Sequence, residues 1–329
     1  MHEREMAENN RILEIITGSH LYGTATESSD KDFVGIFLPT EPYILGFKRV
    51  EEVDFSIIDK DENGKNTEHA LDRKLYEFRK FITLVKDMNP NLTEVLFTNQ
   101  ENIVFINDIG KELLSLRQHF VHKGLKQKFL GYAFSQRHKA IIKKANYFDL
   151  LESLEYLKRY DIGKSLIEIA LESNCPCFIK KRYDQKQNIN FIEIGDLNLM
   201  PSVSVKRANI ILQERIDKVG NRKELLTKHG VDTKYLSHLL RLMLEGKELL
   251  ETGELKFPLK YAQTLKDVRN GLWKIEDVFN YSYELEKEIE SLAESSRIPS
   301  KPNNALIEAF TIKTLKRMIN QPCSGYVSE

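Results

Sequence analysis

Two nearly continuous apolar runs dominate the first forty positions of the chain. Ile12-Leu13-Glu14-Ile15-Ile16 predicts a buried strand that Gly18 ends, and Asp32-Phe33-Val34-Gly35-Ile36-Phe37-Leu38 predicts a second, stopped by Pro39. Between them His20-Leu21-Tyr22-Gly23-Thr24-Ala25 suits a short helix or turn, and Thr26-Glu27-Ser28-Ser29 a polar loop. A polar excursion from Asp59 to Asn66 reads as a hairpin tip. A strand carrying Asp72 follows it, then a helix from about Glu77 to Met88 that Asn89-Pro90 terminates. Strands interleaved with a helix make residues 1–105 an α/β unit.

Beyond residue 105 the apolar period lengthens. Helical spacing covers about 111–120, 125–145, 150–173, 203–217, 233–252, 258–270 and 274–296, and a last short stretch reaches Met318 before a polar end. Residues 177–201 alternate instead, which predicts a small β-ribbon. The expected organisation is therefore α/β plus α in two domains, 1–105 and 106–329, and a length of 329 residues favours two.

Composition narrows the class. Hydrophobic residues at 41% suffice for ordinary cores, and no apolar stretch approaches the ~20 residues of a membrane span. The start, Met1-His-Glu-Arg-Glu-Met-Ala-Glu8, lacks the basic-then-apolar layout of a signal peptide, so a cytoplasmic location is expected. Three cysteines cannot all pair internally, and Cys175-Pro176-Cys177 is an awkward spacing for a disulfide or a zinc knuckle, so reduced thiols are expected. Gly163-Lys164-Ser165 echoes the end of a phosphate-binding loop, but Lys158 stands where that motif needs its first glycine.

A net charge of zero argues against a protein coated for non-specific nucleic-acid binding, yet the charge is unevenly placed. From Leu113 to Phe148 there is no Asp or Glu, while Arg117, Lys123, Lys126, Lys128, Arg137, Lys139, Lys143 and Lys144 supply eight positive charges. Two readings stand side by side. The stretch is a wet helix surface with Phe129, Tyr132 and Phe134 as its buried stripe, or some of its cations face a cleft and bind triphosphate or a nucleic-acid backbone. Glu276-Asp277 and the series Glu284, Glu286, Glu288, Glu290 read as a solvated helix face.

The chemistry concentrates at Gly18-Ser19, which Asp30-Lys31-Asp32 follows across the polar loop. On a strand, side chains two apart share a face, so Asp30 and Asp32 would project together, ~7 Å apart along the chain. Paired carboxylates suit Mg²⁺ or Mn²⁺, hard cations that take oxygen ligands and share them with phosphates. Gly18 lets the backbone approach a phosphate, and the Ser19 hydroxyl with the N–H groups after it can donate to one. Each piece alone is ordinary, since Ser-Ser-Asp-Lys-Asp is a common solvated turn. Their joint spacing between two strands points to nucleotide transfer from a nucleoside triphosphate.

On these residues the chain resembles the nucleotidyltransferases of the DNA polymerase β superfamily, whose signature is Gly-Ser, a variable gap and Asp-x-Asp. Within it, Gly18 to Asp32, Leu75-Tyr-Glu-Phe-Arg-Lys-Phe81 and Asn89-Pro-Asn-Leu-Thr-Glu-Val-Leu-Phe97 are similar to the RNA-ligase-associated, or RlaP, branch. The resemblance covers about residues 11–140 and parts of the C-terminal third, and weakens over roughly 145–205. It implies a polymerase-β-like nucleotidyltransferase module with a mainly helical C-terminal domain. It also implies a third carboxylate on a neighbouring strand; Asp72 matches best and Glu77 is the alternative, which would otherwise be a helix-start residue. Asp30, Asp32 and Asp72 would then be catalytic and metal-binding, with Gly18 and Ser19 holding the triphosphate.

Phe129-Leu-Gly-Tyr-Ala-Phe-Ser-Gln136 also follows the branch pattern, which favours a role in the site for part of the basic stretch. So does the helix with Lys234, His238 and Arg241 ahead of Gly253-Glu-Leu-Lys-Phe-Pro258. Those three cations share one helix face and, by the resemblance, bind the nucleotide. The implied acceptor is an RNA 3′ end, in repair alongside an RNA ligase. Two other readings stay open: a protein- or small-molecule-nucleotidylating enzyme with the same carboxylates, and an idle nucleotide- or RNA-binding module. Clustered carboxylates argue against the last, since they repel phosphate without a metal.

Overall fold

The computed structural model describes residues 3–27, 29–59, 70–218 and 231–320, with the backbone alone at 142–144. The expected hairpin tip from Asp59 to Asn66 lies outside these residues from position 60 onward, as do Cys323 and the polar end after Asn320. The first part runs α1 (Glu3–Asn9), β1 (Arg11–Thr17), α2 (Gly18–Tyr22), β2 (Asp32–Phe37), α3 (Glu41–Ile44), β3 (Glu52–Asp54), β4 (Asp72–Glu77), α4 (Phe78–Lys86), α5 (Pro90–Leu96) and β5 (Ile103–Ile106). Among the described residues the strands form one five-stranded sheet in the order β3-β4-β2-β1-β5. β2 and β4 pair in parallel, and the other neighbours are antiparallel.

Local chemistry accounts for these elements. Ile12 to Ile15 are buried without alternation, as befits a central strand covered on both faces. Glu14, in that run, is held by Arg73 of β4 and by Arg11. Glu77 ends β4 and caps α4, its carboxylate accepting from Lys80 N at 2.9 Å. α4 stops at Lys86 rather than Met88, which takes a left-handed φ of 54°. Pro90 then opens α5 at a position where its missing N–H costs nothing.

The chain continues through α6 (Asp108–Ser115), α7 (Leu125–Leu157), α8 (Leu166–Ala170), β6 (Ile179–Asp184), β7 (Ile189–Ile194), β8 (Leu197–Leu199) and α9 (Val205–Asp217). It closes with α10 (Thr233–Thr252), α11 (Ala262–Arg269), α12 (Ile275–Ser295) and α13 (Asn304–Asn320). α7 is one helix where the sequence predicts two, because Ala145 to Asp149 contains no glycine or proline to break it. The ribbon expected at 177–201 is the three-stranded antiparallel sheet β6-β7-β8.

Two compact units result: Met1–Ser135 with Ser237–Glu329, and Gln136–Leu236. The division expected near residue 105 falls inside the first, because later segments return to pack on the strands' helices. Phe310 of α13 meets Phe78 edge-on at 5.8 Å, and Leu259 N donates to the Tyr22 carbonyl at 3.1 Å. The second unit has its own core, in which Leu150 and Leu157 of α7, Ile169 of α8, Ile192 and Ile194 of β7 and Leu212 of α9 are buried. Cys175 and Cys177 are free thiols. Among the described residues no helix is long and apolar enough to cross a membrane.

Candidate active site

The site begins where β1 ends. Thr17 is the register partner of Asp32, and at Gly18 the chain turns with φ +65°. A Cβ on Gly18 would lie 2.5 Å from Asp32 Oδ2, so only glycine lets the turn pass over that carboxylate. Ser19 follows in the short helix α2, its carbonyl accepting from Thr24 N at 2.9 Å and Ala25 N at 3.0 Å. The loop folds back on itself: the His20 ring nitrogen Nε2 lies 3.2 Å from the Ser29 carbonyl, and Thr26 N donates to Ser29 Oγ at 2.9 Å.

Asp32 opens β2 and Asp72 opens β4, and the two are partners in the parallel ladder. Residues so aligned project to one face, with their strands ~4.8 Å apart. Asp72 Oδ1 accepts from Ser56 Oγ at 3.3 Å, and Ser56 N donates to Asp54 Oδ1 at 2.8 Å. Hydrogen bonds from Ser56, side chain first and backbone second, hold the Asp54 carboxyl below its ordinary value. Ser56 escaped the sequence reading, since its approach to Asp72 depends on the antiparallel pairing of β3 with β4.

Asp30 is exposed and precedes β2 instead of lying on it. Gly18, Asp32 and Asp72 are thus brought together by backbone register, with Asp30 two residues upstream. Among the described residues no three His, Cys, Asp or Glu side chains are grouped as a metal site. The donor chemistry nonetheless suits a hard cation, since two carboxylate residues are ladder partners beside a glycine turn. Glu77, the alternative third carboxylate, is paired with Phe37 at the far end of the ladder, roughly 16 Å along the strand from Asp72. It is buried there, capping α4 and bound by Arg79 Nε at 2.9 Å.

Lys234, His238 and Arg241 share α10 but not one environment. Lys234 is exposed near its start, its N–H donating to Asp232 Oδ1 at 3.1 Å, and belongs to the second unit. His238, half-buried, and Arg241 belong to the first. Arg241 departs from the expected open cationic stripe. Its guanidinium is buried, ion-paired with Glu94 of α5 and with Glu245 at 2.9 Å, so two carboxylates already take up its charge. Burial pushes the Glu94 carboxyl up and the Glu245 carboxyl well up, against the pull of the one guanidinium they share. The i, i+4 pair Arg241–Glu245 was legible in the sequence, whereas the contact with Glu94 was not.

In the basic stretch, Arg117 reaches Glu254 at 3.4 Å, Lys123 donates to the Glu294 carbonyl at 3.2 Å, and Lys128 pairs with Asp87. Phe129 is buried as the stripe reading expects, but Tyr132 is exposed and its hydroxyl accepts from Asn89 Nδ2 at 3.0 Å.

Residues 1–160 match the family described as RlaP, the RNA repair pathway DNA polymerase beta family. An uncharacterized 38.9 kDa protein from the nrdC-mobD intergenic region of Enterobacteria phage T4 is 26% identical over 300 residues, covering 85% of this chain and 88% of that protein. A solved nucleotidyltransferase-like protein from Exiguobacterium sibiricum aligns with 96% of this chain and 78% of its own, at 10% identity and a TM-score of 0.25.

Proposed function

We propose, from the match of residues 1–160 to the RlaP, polymerase-β-type family, that the protein transfers a nucleoside monophosphate from a nucleoside triphosphate to an acceptor hydroxyl. The observation that carries this reading is the left-handed Gly18 turn lying against Asp32, whose ladder partner is Asp72. No catalytic use is needed for a solvated turn, but two carboxylates beside an open backbone suit a metal-bridged phosphate.

In this reading the N–H groups after Gly18 and the Ser19 hydroxyl receive the triphosphate. Asp30, Asp32 and Asp72 would hold Mg²⁺ or Mn²⁺, which when bound lowers the pKa of the acceptor hydroxyl and neutralises charge on the departing pyrophosphate. Asp72, oriented by Ser56, accepts the hydroxyl proton as the acceptor oxygen attacks the α-phosphorus. The family description names an RNA repair pathway, which supports RNA as the acceptor class, and the acceptor hydroxyl proposed is its 3′ end. A second reading, transfer to a protein or small molecule, draws on the zero net charge and on the cations of the basic stretch that are already tied to acceptors of the protein itself.

The test is incubation of purified protein with Mg²⁺ or Mn²⁺, each of four labelled triphosphates, and RNA, DNA and protein acceptors. Label on RNA supports the first reading and label on protein the second. Nucleotide binding with no transfer to any acceptor would leave an idle binding module and remove the enzymatic proposal.

A further inference from the structure

Glu94 lies in the Asn89–Phe97 motif, which the proposed chemistry does not use. Its carboxylate is fully buried and accepts from the Tyr22 hydroxyl at 2.6 Å. Arg241 joins the same carboxylate and lies over the Tyr22 ring, 4.4 Å from its centroid. The Tyr22 ring also stands 6.2 Å from that of Phe257, and its carbonyl accepts from Leu259 N at 3.1 Å. Immediately after it, Gly23 takes φ +75° where a Cβ would sit 2.7 Å from Pro258 Cβ. The last residue of α2 is therefore fixed through its hydroxyl, its ring and its backbone.

The first residues of that helix are Gly18 and Ser19, about 6 Å away along its axis. A helix of five residues cannot hold itself in water, so its position comes from what grips it. Two buried carboxylates around one guanidinium are a poor choice for stability alone, since well-packed apolar residues serve at least as well. Directional bonds do what apolar packing cannot: they set one position for the Tyr22 end and hence for the turn it terminates.

We propose that Tyr22, Glu94 and Arg241 form a positioning clamp that seats the Gly18–Ser19 turn against Asp32, and so sets nucleotide affinity from outside the site. The effect on nucleotide rests on the nucleotidyltransferase reading; the seating of the turn does not. Tyr22→Phe keeps the ring contacts and removes only the hydroxyl. The amides of Thr24 and Ala25, bonded to the Ser19 carbonyl, then exchange faster with solvent. The KM for nucleoside triphosphate, or the Kd of a fluorescent triphosphate with Mg²⁺, rises about tenfold, while the KM for the acceptor is unchanged. Glu94→Gln, which still offers an oxygen to the tyrosine, stays near wild type where Glu94→Ala does not.

Ser282→Ala, a buried polar change on α12, serves as the stability control and moves neither readout. Unchanged exchange at Thr24 and Ala25 in Tyr22→Phe overturns the clamp whatever the activity. Faster exchange with unaltered nucleotide affinity overturns its link to the site. A wild-type protein that binds no triphosphate sinks the functional reading, and the exchange experiment still decides whether the clamp seats the turn.

Discussion

Asp32 and Asp72 face each other as ladder partners on parallel strands, though the chain visits β3 before returning to make the pair. Like charges so placed repel, and the proposed cation would relieve that repulsion. Asp32→Asn and Asp72→Asn should each lower nucleotide transfer by roughly 10³-fold or more while leaving the melting temperature level or slightly raised. Radiolabel incorporation beside a thermal melt measures both, and turnover at the wild-type rate in either variant would remove the assignment.

Gly18→Ala combines a left-handed φ with a side chain driven into the Asp32 carboxylate. It should cost about 1–3 kcal/mol in a denaturant titration and weaken triphosphate binding further than that loss explains. A fully stable Gly18→Ala with normal affinity would mean that the turn is free to move off the carboxylate.

The two ends of the cationic helix should behave differently. Arg241→Met strands Glu94 and Glu245 without a counter-charge and should destabilise by about 3–5 kcal/mol. Lys234→Ala, at an exposed position, should leave stability unchanged in a thermal melt. A clear drop in melting temperature would mean that this side chain is held by the fold.

Acid and alkaline limbs of stability should trace to different glutamates. At Glu14 burial pushes the carboxyl up, but the hydrogen bonds and charges of Arg73 and Arg11 outweigh it, and the net value is lowered. Its contribution is complete above the ordinary value of about 4.5 and is lost as pH falls through the folded value, so Glu14→Gln should flatten the acid limb.

Glu94 and Glu245 lie the other way, raised by burial within reach of Arg241, Tyr22, Tyr261 and Glu248. The folded state keeps a proton there that the unfolded state releases, so stability falls as pH rises above about 4.5 toward the folded values. Denaturant midpoints across pH should show a shallower alkaline-side decline in Glu245→Gln.

What the sequence determined by itself was local. The strands around Gly18 and from Asp32, the helix over 233–252 and the ribbon near 177–201 follow from side-chain periodicity and turn chemistry, which depend on near neighbours. Gly18 beside Asp32 was legible for the same reason, being two ends of one strand–turn–strand unit. Asp72 entered through family resemblance, because a parallel partner is chosen by packing across a crossover and leaves no local mark. The return of the C-terminal helices to the first unit, the burial of Arg241 and the grip of Glu94 on Tyr22 were decided only in three dimensions. A buried charge selects whichever opposite charge the fold brings within reach, and the order of residues along the chain does not state which that will be.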